Sequence, residues 1–178
     1  MKKLNIYFVK VDDVAKETVI KTSEEVFNFE VKARDLDVDL SFAWNNVRKQ
    51  LNADMLLRWA MIKLSKIFLL IVPDDIYVPG LNFVFGVAYP HAGAIISTWR
   101  FRSDDERIYR ERISKTVKHE IGHVGGLSHC NNACVMRFAN SLYELDIKPP
   151  EFCESCAKKL LHNGFLRKEY YRKIVNKI

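Results

Sequence analysis

The stretch that decides the reading is HEIGHVGGLSHC, from His119 to Cys130. His119 and His123 stand four positions apart, which on an α-helix means about 40° of rotation and about 6 Å of rise, so two imidazoles on one face can hold one metal ion. Upstream, Ile113, Val117, Ile121 and Val124 recur at the spacing of a single buried stripe. At about 100° per residue both histidines point roughly opposite that stripe, which argues against histidines that merely fill the core. Ser103, Asp104 and Asp105 mark the start of this helix, which runs to about Gly125. Gly125 and Gly126 follow, and glycine ends a helix in a left-handed turn without a Cβ penalty. The chain can therefore double back and return His129 toward the same ion as a third ligand. Three neutral imidazoles with one open position describe a catalytic zinc rather than a structural one. Glu120, beside the first ligand, is long enough to reach water in the open position and is the expected general base. Zinc lowers the pKa of such a water toward neutrality.

All four cysteines, Cys130, Cys134, Cys153 and Cys156, lie within one short segment, and their C-x3-C and C-x2-C spacings fit the ligand spacing of structural zinc. The alternatives are two disulfides, or a redox pair at Cys153 and Cys156. Without a secretory signal disulfides are disfavoured, and a thioredoxin-like pair belongs near a βαβ unit rather than behind a metal motif.

The full pattern H-E-x-x-H-x-x-G-x-x-H resembles the metzincin clan of zinc endopeptidases, and Met136 stands where their Met-turn methionine passes beneath the metal. With the four cysteines, and Met136 two residues after the second of them, the chain looks like the archaemetzincin family over roughly residues 119 to 156. The resemblance implies a zinc metallopeptidase that hydrolyses peptide bonds in a peptide or protein substrate. It implies two zinc ions, one catalytic on His119, His123 and His129 and one structural on the cysteines. The implied fold is α/β of the mixed α+β kind: a metzincin-like twisted mixed sheet with packed helices, the zinc helix at the cleft, and a C-terminal helical region stapled by the four-cysteine site. It also implies an antiparallel edge strand above the zinc that pairs with substrate backbone. Two departures stand out. Cys130 and Cys134 are separated by three residues where the family has four, and Phe138 occupies the place where some metzincins carry a tyrosine to steady the oxyanion.

At 178 residues, with 48% hydrophobic and 28% charged residues, the chain is the size of one soluble domain with a real core. The expected division is residues 1–125 for the sheet and the helices ending in the zinc helix, and 126–178 for the Met-turn, the four-cysteine site and the C-terminal helices. The start, MKKLNIYFVKVDD, is cut by Lys10, Asp12 and Asp13 before any small-residue cleavage site, so it does not read as a signal peptide. The longest apolar run, Ile67 to Val72, is far too short to span a bilayer. A cytoplasmic monomer without membrane partners is the expectation.

The net charge is +6, and the excess sits in residues 157–178, where seven Lys or Arg face the single acid Glu169. Phe165, Tyr170 and Tyr171 lie among these cations, a composition that can bind nucleic acid or an acidic partner. The preferred reading is a C-terminal helical region that turns Leu160, Leu161, Leu166, Tyr170 and Ile174 inward and leaves its lysines in water, so nucleic acid is not an expected partner. The other rival function is a zinc-stabilised module that binds a peptide or partner with little or no turnover.

The remaining elements follow local signals. Leu4 to Val11 reads as a buried strand, and Asp12 and Asp13 offer caps to a helix over about residues 14 to 26. Phe29, Val31 and Ala33 alternate, and Leu36, Val38 and Leu40 alternate again after a one-residue slip, which a strand bulged near Arg34 and Asp35 explains. Trp44, Val47, Leu51, Met55, Trp59 and Ile62 recur at helical spacing, with a break near Asn52 where Asp54 can start a new helix; these side chains are expected in the core. Ile67 to Val72 is the expected central strand, covered on both faces. Pro73 to Gly80 reads as a loop. Strands near Phe83 to Ala88 and Ala94 to Arg100 are the two candidates for the edge role. His91 and His162 are expected at the surface. Pro149-Pro150 and Asn163-Gly164 bound the final helices.

Overall fold

Strand β1 (Lys2–Phe8) is followed by helix α1 (Asp13–Val26) and returns as β2 (Phe29–Asp35), parallel to β1; the computed structural model describes residues 1–177. The Asp12 carboxylate caps α1 by accepting the Ala15 N–H at 2.9 Å. A small second sheet comes next, with β3 (Trp44–Asn45), β4 (Gln50–Asn52) and, after helix α2 (Ala53–Lys63) and strand β5 (Phe68–Val72), β6 (Ile76–Tyr77). Strands β7 (Gly86–Tyr89) and β8 (Gly93–Ser97) complete the main sheet, whose order is β2-β1-β5-β8-β7. All neighbours in it are parallel except β7, which runs antiparallel to β8 at one edge. The long helix α3 (Glu106–Val124) follows, and then α4 (Leu142–Ile147), α5 (Glu154–His162) and α6 (Lys168–Val175). Among the described residues no helix is long and apolar enough to cross a membrane.

The main sheet is covered on both faces, and the period-two alternation of its strands shows how. Leu4, Ile6 and Phe8 of β1, with Leu69 and Ile71 of β5, join one cluster that includes α1, α3 and the C-terminal helices. Tyr7 of β1, with Phe68, Leu70 and Val72 of β5, joins a second cluster built on α2. All five residues of β5 are buried, which explains its unbroken apolar run: a central parallel strand has no solvent face to make polar. Each such Leu, Ile or Phe contributes about 1.5 to 3 kcal/mol by leaving water. At the end of the chain, Leu160, Phe165, Leu166 and Tyr170 are buried, and α6 leaves Lys168, Arg172 and Lys173 exposed.

Three expectations need correction. Strand β2 ends at Asp35, and residues 36–40 are irregular, so the second alternation is not a continuation past a bulge. Its only fully buried side chain is Phe29, as suits an outer strand with one neighbour. The run from Trp44 is also not a helix until Asn52, whose side chain caps α2 by accepting the Met55 N–H at 3.1 Å. Before that point the chain makes the β3–β4 hairpin, held by pairing of Leu51 with the distant Ile76. Within α2 the buried stripe is Ala53, Leu56, Leu57 and Ala60, so Val47 and Ile62 stand 94% and 79% exposed instead of in the core. The loop expected over residues 73–80 contains β6.

Candidate metal centre

Helix α3 carries the first part of the site. Asp105 caps its start by accepting the Arg107 N–H at 2.9 Å, and Ile113, Val117, Ile121 and Val124 are buried against the sheet. Its polar side is held by two buried lysines. Lys115 donates to the carbonyls of Leu145 and Asp146 at 3.0 and 2.7 Å, and Lys118 donates to that of Pro150 at 2.8 Å. These bonds fasten the returning segment 145–150 along α3, where it forms the far wall of the site.

The end of α3 is a Schellman turn. Gly126 takes φ +93°, its N–H bonds to His123 O at 2.9 Å, and the Leu127 N–H reaches back to Gly122 O at 2.9 Å. This reversal brings His129 to the other two histidines. One ring nitrogen from each of His119, His123 and His129 lies within 4.8 Å of the others, and His119 Nε2 and His123 Nε2 are 3.0 Å apart. His119 and His123 are tucked in, whereas His129 is exposed at the rim, its ring 5.3 Å from that of Phe138. His91 and His162 are exposed and take no part.

The donor set fits a metal by its tautomers. His119 Nδ1 lies 2.9 Å from Val135 O and His123 Nδ1 lies 2.8 Å from Leu127 O. A carbonyl can only accept, so both protons sit on Nδ1 and both Nε2 lone pairs face each other. Two lone pairs at 3.0 Å repel unless a cation lies between them, and tetrahedral zinc at about 2.0 to 2.1 Å from each nitrogen separates its ligands by roughly 3.3 Å. Burial holds His119 well below the usual histidine range, with the charges of Lys148 and His123 adding to it, and burial also lowers His123 and His129. Neutral imidazoles are what a metal requires.

Glu120 lies on the same wall of the cavity, 5% exposed, and burial pushes its carboxyl up to about 8 against the opposing charge of Lys148. Strand β7 passes directly over it: a Cβ built on Gly86 would stand 2.7 Å from Glu120 Oε1. The cavity measures about 530 Å³ and is bounded by β7, the three histidines, Glu120, Phe138 and Lys148.

Met136 is fully buried. A side chain on Gly122 would overlap its Sδ, so the glycine in H-E-x-x-H makes room for the methionine. Met136 O accepts the Cys130 N–H at 3.0 Å, which ties the segment carrying His129 to the methionine turn.

The four cysteine sulfurs lie within 4.8 Å of one another and are free thiols, so the disulfide alternative is not what the structure contains. Cys130 Sγ and Cys153 Sγ are 3.9 Å apart, close to the roughly 3.8 Å that tetrahedral Zn–S bonds of about 2.3 Å give. Cys134 Sγ accepts the N–H groups of Met136 and Cys153 at 3.4 and 3.2 Å, which favours a metal-bound thiolate. Burial works to raise the Cys153 thiol, yet hydrogen bonds from Cys156 and Asn132 bring it down to about 7. The shorter loop between Cys130 and Cys134 therefore still closes the cluster.

Sequence reasoning missed Gly86, the Val135 and Leu127 carbonyls, and Lys148. Lys148 is 7% exposed, lowered by burial to about 8 with Glu120 pulling the other way. Nothing in its surroundings in the sequence, before Pro149-Pro150, marks it for the cavity.

The model of peptidase family M54 matches residues 5–162 of the chain. An archaemetzincin of Nanoarchaeum equitans is 44% identical over 161 residues, covering 90% of this chain and 91% of the relative. One of Archaeoglobus fulgidus is 41% identical over 160 residues, covering 89% of this chain and 98% of the relative. The crystal structure of the Archaeoglobus fulgidus archaemetzincin complexed with malonate superposes with a TM-score of 0.81 at 41% identity, over 88% of this chain and 99% of that one. That of Methanopyrus kandleri gives 0.78 at 31% identity, over 91% and 95%.

Proposed function

The chain belongs to peptidase family M54, the family of the archaemetzincins, and is a zinc metallopeptidase; from that premise we propose which of its residues hold metal and which move protons. His119, His123 and His129 hold the catalytic zinc, and Cys130, Cys134, Cys153 and Cys156 hold a second, structural zinc. The observation that carries the assignment is the pair of Nδ1–H bonds to Val135 O and Leu127 O, which leaves the Nε2 lone pairs of His119 and His123 facing each other.

Zinc, when bound, supplies Lewis acidity toward the scissile carbonyl and lowers the pKa of water. Glu120 accepts the proton that water gives up as its oxygen bonds to the carbonyl carbon, and returns it to the amide nitrogen as the C–N bond breaks. Strand β7, at the free edge of the sheet and against Glu120, accepts the substrate backbone as an added antiparallel strand. Backbone pairing of this kind holds an extended peptide without reading its side chains. The cysteine cluster clamps both ends of the segment that presents His129 and Met136, closing a loop that costs entropy to order. The rival reading, a peptide-binding module with little turnover, is not favoured by membership of a peptidase family.

Zinc content per chain tests the two-site assignment. The wild-type protein is expected to hold two ions and Cys153→Ser one, with a lowered melting temperature. Two ions and an unchanged melting curve in the variant would overturn the structural site and the clamp.

A further inference from the structure

Lys148 lines the same cavity as His119 and Glu120 and is its only lysine or arginine among the described residues. The other two buried lysines of this region have acidic partners: Lys115 pairs with Glu111 at 3.1 Å and Lys118 with Glu151 at 3.5 Å. Lys148, 7% exposed, has no carboxylate within 4.0 Å among the described residues. Its Nζ contacts two groups, Arg137 O at 3.2 Å and His119 Nδ1 at 3.3 Å. The second is not an acceptor, because Nδ1 carries the proton given to Val135 O. An ammonium has three donors, so two of its N–H bonds have no protein acceptor. A buried cation short of both a contacting carboxylate and protein acceptors is unfavourable, and a ligand carboxylate relieves both deficits at once.

We propose that Lys148 makes this cavity a carboxylate subsite, so that the preferred substrates carry an acidic side chain, or a free C-terminal carboxylate, within two residues of the bond that is cut. The proposal rests on the peptidase reading above and names its substrate class. Peptides offer anionic groups only as Asp, Glu, the C-terminus or a modified side chain. The walls of the same cavity include Leu145 and Ala139, which suit the methylenes that lead to such a group. The opposing account is that Lys148 serves only to offset the charge of Glu120. In that case removing Lys148 weakens all peptides alike and changes no preference.

The test measures binding without turnover, on zinc-loaded Glu120→Gln protein titrated calorimetrically with matched peptides. One pair differs by Glu against Gln at positions flanking the scissile bond, and a second by C-terminal acid against amide. The acidic member of at least one pair is expected to bind ten times or more tighter, and adding Lys148→Met should bring that ratio to about one. Lys148→Arg should restore part of it. The pair that discriminates identifies the source of the carboxylate. Equal binding within both pairs would overturn the proposal even if Lys148→Met fails to fold, and so would a ratio that survives the substitution. Failure of every peptide to bind, with no hydrolysis by the wild type, would instead overturn the peptidase reading and the subsite with it.

Discussion

The carbonyl oxygen of Leu127 accepts the Nδ1 proton of His123 at 2.8 Å, so the turn that ends α3 also fixes which nitrogen of His123 faces the site. That turn depends on Gly126, whose φ of +93° is reached by glycine without strain. Gly126→Ala should therefore cost roughly 1 kcal/mol or more of stability. It should also weaken zinc binding at the histidine site by about 10- to 100-fold, the usual effect of disturbing a ligand's hydrogen-bond partner. Denaturant titration and competition with a chelator measure the two effects. Unchanged affinity would separate the turn from the ligand set.

Gly86 is the second glycine with a chemical consequence. A Cβ there would meet Glu120 Oε1 at 2.7 Å and Cδ at 2.8 Å, and Glu120 is too enclosed to move aside without losing its position. Gly86→Ala should lower kcat/KM by about 100-fold, as a misplacement of about 1 Å can do, while zinc content stays at the wild-type value. Full activity in the variant would show that Glu120 has room that the structure does not suggest.

How much of this was legible in the sequence depends on how local each signal is. The zinc helix was readable because its apolar stripe is continuous and its ends are local: Asp105 caps one, Gly126 turns the other. Strand β5 was readable because burial on both faces leaves an unbroken apolar run. The segment from Trp44 misled, since spacings of three and four residues also occur in a hairpin, and its deciding partner, Ile76, lies far along the chain. The three histidines and four cysteines come together as their spacing suggested. Lys148 and the Val135 carbonyl were illegible because they reach His119 only through the return of the chain along α3. The choice of edge strand needed the sheet order, which places β7 outermost.

The pH dependence of the metal-free protein follows from Glu120. Burial pushes its carboxyl from 4.5 up to about 8, so the folded state holds this proton more tightly than the unfolded chain. The stabilisation is complete below about pH 4.5 and drains away as pH rises through about 8, with a slope approaching about 1.4 kcal/mol per pH unit. The three histidines, lowered from 6.5, act in the opposite sense below that value, so the comparison with Glu120→Gln is the readout. Stability curves of the two metal-free proteins should diverge between about pH 5 and 8, the wild type falling relative to the variant. Charge of the kind a bound dication supplies draws a carboxyl down, so zinc loading should remove the difference. Parallel curves would show that Glu120 titrates as an ordinary carboxyl.

The most direct test of the central claim is hydrolysis of a mixed peptide library by zinc-loaded Glu120→Ala, with metal content measured on the same sample. The expected result is wild-type zinc content with turnover reduced at least about 100-fold, the share of a general base. A fully loaded variant that cleaves peptides at the wild-type rate would contradict the account.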